Sequence, residues 1–275
     1  MGLARRVARR IETFVAGRKS YKWVQRALLA PKDIEGLRDI LDSMRLLRTV
    51  KPYFLQGPRG GDIVVIAPHP DDESIGPGGT LLNVSQEGAR LRVVFLTSGR
   101  QGEEDVRERE ARKACDLLRA EPVFLRHRDG QIDIARAAEE ISALCRSEPA
   151  TTVFLPFISD DHPDHGAANE VLLASMTRHD LADVEVWAYQ VYSALLGNVV
   201  VDITARIDEK DELIRAHQSQ FARRDWVHYA RGLAAFNSRL AQKRDQRFLE
   251  VFFVVPSHEY RSLLERYYRA PDDKL

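Results

Sequence analysis

Residues 63–73 read Ile63-Val64-Val65-Ile66-Ala67-Pro68-His69-Pro70-Asp71-Asp72-Glu73. The first five form an unbroken apolar run rich in β-branched residues, the pattern of a strand buried on both faces rather than one with a wet side. One imidazole and three carboxyl groups follow within five positions, in a turn stiffened by two prolines. Such a strand needs cover on both faces, and the charged turn sits at its carboxyl end. Together they point to an α/β sheet with its chemistry at the strand mouth.

The same rhythm continues downstream. A helix is expected over about 79–87, a strand over 91–96, a long charged helix over 104–119, a strand over 123–125, a helix over 134–147, a strand over 152–155 and a helix over 164–177. Further strands are expected at 184–189, 199–203 and 248–255, with helices over 207–220 and 226–243. This alternation predicts a doubly wound, mostly parallel sheet with helices on both faces, a Rossmann-like arrangement. At 275 residues, 44% of them hydrophobic, the chain suffices for one large core rather than two full domains.

Upstream, residues 1–55 read as a basic helical extension that ends in Lys51-Pro52 and the Gly57-Pro58-Arg59-Gly60-Gly61 punctuation. The main domain is expected over 60–256, with 257–275 as a C-terminal tail or helix. Although 41 basic and 41 acidic residues cancel overall, residues 1–30 hold eight basic residues against Glu12 alone, a net charge of +7. Leu3, Val7, Ile11, Phe14 and Val15 recur at helical spacing among the arginines, so this segment either packs on its own domain or lies on an anionic membrane surface. No nucleic-acid recognition motif accompanies the charge, and nucleic acid is not an expected partner. With no apolar run of eighteen residues and no signal-peptide pattern, the expected location is cytoplasmic, peripheral to the inner membrane face under the second reading. Cys115 and Cys145 lie in helical patterns and are expected to be packed thiols.

A second charged loop follows the strand expected at 152–155: Ser159-Asp160-Asp161-His162-Pro163-Asp164-His165-Gly166. Helix capping would account for one acid in each loop, not for this density. A dinucleotide loop fails as well, because Gly76-Pro77-Gly78-Gly79 lacks the G-x-G-x-x-G spacing and follows two aspartates. Imidazole and carboxylate donors without nearby cysteine fit a divalent metal in a catalytic rather than a closed structural site.

The pair His69-Pro70-Asp71-Asp72-Glu73 and His162-Pro163-Asp164-His165, about ninety residues apart, resembles the LmbE-like, PIG-L-type N-acetylglucosaminyl deacetylases. The resemblance spans about residues 62–255. It implies a metal-dependent amide hydrolase that removes an acetyl group from a small or lipid-linked amino-sugar substrate; the alternatives are an amidase acting on a larger glycoconjugate and a noncatalytic metal-binding or membrane-docking module. The ligands it implies are His69, Asp72 and His165 on Zn2+, and the same donors accept Fe2+ or Co2+. Asp71 would be the general base. His162 would stabilise the oxyanion or protonate the leaving amine, with Asp164 orienting its imidazole. Arg107 and Asp129 match the family's sugar-contacting positions; on charge pattern alone they are a solvated helix face and an Asp-Gly turn. Glu73 is expected to hold the loop or cap the helix. Asp160 stands where some family members carry an aromatic hydroxyl, and it receives no role. Lys210 and His217 resemble a family helix and stay outside the catalytic set.

Overall fold

The computed structural model describes residues 51–269 except 101, 178–180, 182, 194, 196 and 242–245. The helical pattern and basic segment expected within residues 1–50 lie outside the described residues.

Eight strands form one sheet: β1 (Tyr53–Leu55), β2 (Asp62–Ala67), β3 (Arg90–Thr97), β4 (Ala120–His127), β5 (Thr152–Pro156), β6 (Glu185–Tyr189), β7 (Val199–Asp202) and β8 (Leu249–Pro256), in the order β1-β7-β8-β6-β5-β2-β3-β4. All pairings are parallel except those of β8 with β6 and β7. Eight α-helices surround the sheet among the described residues: α1 (Asp72–Ile75), α2 (Gly78–Gln86), α3 (Glu104–Leu118), α4 (Ile134–Ser147), α5 (Pro163–Thr177), α6 (Ile207–Ala216), α7 (Trp226–Asn237) and α8 (Ser257–Arg269).

The apolar run that opens β2 explains its place in the centre. Ile63, Val65 and Ala67 face one layer, with Leu81 of α2, Cys115 of α3, Leu213 of α6 and Ala230 of α7. Val64 and Ile66 face the other, with Ile141 of α4, Leu172 of α5 and Leu264 of α8. Side chains alternate along a strand, so two covered faces require apolar residues at every position. The expected doubly wound sheet is present.

Several boundaries differ from the sequence reading: the helix expected over 226–243 ends at Asn237, and the strand expected over 123–125 runs over Ala120–His127. Tyr53–Leu55 join the sheet as an edge strand beside β7, although all three are exposed; three residues without a buried face leave no periodic signal. The helix expected over 207–220 ends at Ala216, where His217 leaves helical geometry and a 3-10 turn, Gln218–Ala222, follows. Of the two forms expected for the segment after 256, tail or helix, Ser257–Arg269 take the helix, with Tyr260 and Leu264 fully buried and the Tyr260 hydroxyl donating to Asn169 Oδ1 at 2.7 Å. Both cysteines are buried in the core, as expected of packed thiols.

The sheet grows from β2 through β3 and β4 in one direction, and through β5 and β6 in the other. The loops after β2 and β5 therefore flank the point where strand order reverses, the place where open α/β sheets collect ligands.

Candidate active site

Both motif loops are anchored by their backbones. The Pro68 carbonyl accepts from the Thr97 amide and hydroxyl, each at 3.0 Å, which ties the first loop to β3. Asn169 on α5 donates to Pro156 O and His165 O at 3.0 and 2.9 Å, which ties the second motif to the end of β5.

Between these anchors the charged side chains converge. Asp72 Oδ2 lies 3.2 Å from both His69 Nδ1 and His165 Nε2 and accepts the His69 amide at 3.0 Å. His69 Nε2 meets Asp164 Oδ2 at 3.0 Å and Asp129 Oδ1 at 3.1 Å. His162 stands edge-on to His69, with ring centroids 4.7 Å apart. His69, His162 and His165 each present a ring nitrogen within 4.8 Å of the others, and His69, Asp129 and Asp164 form a second such group. Asp72 and His165 are wholly buried, and His69, Asp71 and Asp164 nearly so.

The electrostatics are those of a site rich in carboxylate. At His165 burial lowers the pKa, but Asp72 and Asp160 outweigh it and push the imidazole up to about 9. Burial also works against protonation of His69, and its contacts with Asp129, Asp164 and Asp72 still raise it well above the usual value. Contact with His69 holds Asp129 down at about 2. Burial of Asp72 is overcome by the charge of His165, so its carboxyl sits well below the usual range. His162 behaves oppositely, lowered by burial and by the two neighbouring imidazoles. The carboxylates thus draw positive charge into the cluster, a demand that a divalent cation meets as protons do.

The donor set fits such a cation. Asp72 Oδ1 is buried and lacks a hydrogen-bond partner, and His165 Nε2, also buried, has only its ion-pair contact with Asp72 Oδ2, whereas more than nine in ten buried polar groups normally find a hydrogen bond. Of the residues the resemblance implies as ligands, Asp72 contacts both His69 and His165, and those two histidines share their convergent donor group with His162 rather than with Asp72.

Asp71 adopts φ 141° and ψ −25°, a backbone region that non-glycine residues rarely enter. Its amide donates to Glu73 Oε2 at 3.0 Å, so Glu73 holds the loop. Glu73 Oε1 accepts from the Ser74 hydroxyl at 2.6 Å and meets His217 Nε2 at 2.9 Å. Arg107 reaches Asp71 Oδ2 at 3.0 Å and also donates to the Pro70 carbonyl. Burial pushes the Asp71 carboxyl up to about 6 against the pull of Arg107, which suits proton transfer near neutrality.

Two sequence-assigned roles find different partners here. The Asp164 carboxylate faces His69 and the Gly130 amide, and only the Asp164 backbone amide reaches His162 Nδ1, at 3.2 Å. Arg107 is buried and grips Asp71 and its loop instead of facing solvent. The sequence held the signal: Arg107, Glu110, Ala111, Ala114, Cys115 and Leu118 share the buried face of α3 at three- and four-residue spacing.

Asp160 was left without a role and proves central. Its Oδ1 meets His165 Nδ1 at 3.0 Å, and its Oδ2 accepts from the amides of Val191, Tyr192 and Ser193 at 3.3, 2.9 and 3.4 Å. His217 and Tyr192 were likewise not assigned, because both reach the site from distant chain and belong to neither motif.

Imidazoles and carboxylates gathered at the switch point of an α/β sheet form the framework that metal-assisted hydrolases use. Residues 64–176, which contain both motifs, match the PIG-L family profile, described as GlcNAc-PI de-N-acetylase. It is 26% identical over 224 residues to the diacetylchitobiose deacetylase of Thermococcus kodakarensis, covering 70% of this chain and 83% of that one. A protein of Bacillus anthracis described as a probable N-acetyl-alpha-D-glucosaminyl L-malate deacetylase is 26% identical over 184 residues, 58% of this chain and 81% of that one. The fold is shared with the N,N'-diacetylchitobiose deacetylase of Pyrococcus horikoshii at a TM-score of 0.60 and 23% identity, covering 89% of this chain and 99% of that one.

Proposed function

We propose that this protein is a metal-dependent N-deacetylase, with Zn2+ the metal, that hydrolyses the acetamide of an amino-sugar-containing substrate. The observation that carries this reading is Asp72 Oδ2 standing 3.2 Å from both His69 Nδ1 and His165 Nε2, with strained Asp71 beside it. Its relatives' action on N-acetylated sugars supports the substrate class.

His69, Asp72 and His165 would hold the metal, which when bound supplies a Lewis acid for the acyl carbonyl and acidifies water. Asp71 takes a proton from the attacking water, its carboxylate aimed by Arg107 and its backbone by Glu73. Water adds to the carbonyl carbon, the C–N bond breaks, and the nitrogen gains a proton as acetate and a free amine leave. His162, lowered in pKa and edge-on to His69, is placed to donate to the oxyanion or the departing nitrogen. Asp164 and Asp129 hold His69 from its outer side, and Asp129 is the more exposed of the two, open to a sugar hydroxyl.

No helix among the described residues is long and apolar enough to cross a membrane. A cytoplasmic location with peripheral contact through residues 1–30 is the reading of their net charge of +7; co-sedimentation with anionic vesicles, lost on deleting residues 1–50, tests it.

The deciding experiment is metal content together with amine release from a panel of N-acetylglucosamine derivatives, for wild type and Asp71→Ala. Release by wild type alone, with metal retained by both, is the expected result. Release unaffected by Asp71→Ala would sink the assignment of the base, and no release from any derivative would sink the function.

A further inference from the structure

A file of aromatic rings leads out of the imidazole cluster. Tyr192, in the loop after β6, stacks on His165 with ring centroids 5.4 Å apart and planes within 22°, and lies 6.2 Å from His162. Trp226, the first residue of α7, is 6.1 Å from Tyr192, and Tyr229 is 5.7 Å from Trp226. The Arg224 guanidinium lies over Trp226 and Tyr229 at 5.0 and 5.4 Å. Each ring-to-ring step is comparable to the width of a pyranose.

The file is held in place from two sides. Asp160 binds the backbone amides of the Tyr192 loop through one oxygen and His165 through the other, so a single carboxylate sets both the imidazole and the ring stacked on it. From the far side, the Tyr229 hydroxyl donates to the Val191 carbonyl at 2.6 Å. Trp226 and Tyr229 pack with one side against the apolar layer beneath α7 and stay only partly buried, and Tyr192 is 36% exposed. Among the described residues the Tyr192 hydroxyl has no hydrogen-bond partner, and Arg224 is exposed without an acidic partner. Aromatic faces flanked by free polar tips suit a ligand with apolar C–H faces and hydroxyl edges, which describes a sugar ring.

We infer that Tyr192 and Trp226 are successive ring-binding positions, Tyr192 for the acylated sugar and Trp226 for the unit joined to it. What occupies the reacting end rests on the deacetylase reading above.

Calorimetric titration of the full chain with Zn2+, in an Asp71→Asn background that prevents turnover, compares N-acetylglucosamine with N,N'-diacetylchitobiose. The two-ring sugar binds about tenfold more tightly, near the upper end of what one aromatic contact contributes. Trp226→Ala erases this preference and leaves the affinity for the single sugar unchanged. Trp226→Leu, which keeps bulk beneath Arg224, does the same, and Trp226→Phe keeps most of the preference. Tyr192→Ala weakens both sugars. Equal affinity for the two sugars, or a preference that survives Trp226→Leu, overturns the inference. A preference that behaves as stated, alongside no amine release from either sugar by wild type, supports the ring positions and counts against the deacetylase reading instead.

Discussion

Glu73 Oε1 and His217 Nε2 meet 2.9 Å apart, both side chains buried, across 144 residues of sequence. Burial lowers the His217 pKa, but the Glu73 carboxylate more than compensates and raises it. The other Glu73 oxygen receives the Asp71 amide. Each link supports the next: His217 fixes Glu73, and Glu73 keeps Asp71 in a backbone conformation it would not otherwise hold. His217→Ala should therefore lower kcat about 10–100-fold, the range typical of groups that orient a reacting residue from behind, with KM and metal content little changed. His217→Gln, which can still donate to Glu73, should recover much of the rate. A parallel loss of metal, or no rescue by glutamine, would show that His217 only supports the fold.

Asp160 acts on the side of the cluster proposed to hold the metal. Ligating imidazoles commonly donate their second N–H to a carboxylate, which fixes the ring and raises its basicity. Asp160 does this for His165. Asp160→Ala should lower Zn2+ affinity about 10–100-fold in a chelator competition while the protein stays folded. Asp161→Ala, at the exposed neighbour, should leave it unchanged.

Gly99 makes room for the arginine that aims Asp71. It has φ +87°, and an added Cβ would lie 2.5 Å from Arg107 Cδ. Gly99→Ala should push the guanidinium away from Asp71 and reduce kcat/KM by about tenfold or more, as misplacement by about an ångström can. Arg107→Ala, which removes the guanidinium and its contact with Asp71 altogether, should cost at least as much. Combining the two changes should add little beyond Arg107→Ala alone, and full additivity would argue against a shared route.

Much of this was legible in the sequence, for identifiable reasons. The central strands announced themselves because residues 63–67 must be apolar on both faces, and the motifs because each packs its charges into one strand-mouth loop. The trio proposed as ligands comes from those loops alone. Residues reaching the site from elsewhere were not legible in that way, since His217 ends a helix and Tyr192 sits in an irregular loop, and even Asp160, inside the second loop, acts through a contact with His165 that no spacing encodes. Arg107 lies between these cases, since its buried face follows from the spacing of Ala111, Ala114 and Cys115, but its grip on Asp71 does not.

Lys210 and Glu250 carry the one prediction that concerns stability. Lys210 Nζ contacts Glu250 Oε1 at 2.6 Å and donates to the Gly76 carbonyl at 2.9 Å, and both side chains are almost wholly buried. Glu250 also accepts from the Gly79 and Thr80 amides, each at 2.8 Å, and from the Thr80 hydroxyl at 2.6 Å. The pair thus clamps β8 and α6 to the start of α2, just behind the first motif. Removing one partner leaves the other charge buried and uncompensated. Lys210→Met should therefore cost about 3–5 kcal/mol in urea unfolding. Lys210→Met combined with Glu250→Gln should recover part of that loss, because a neutral amide can remain buried and its carbonyl can still accept from the α2 amides. If the double variant were no more stable than Lys210→Met alone, the stranded charge would not be the cause.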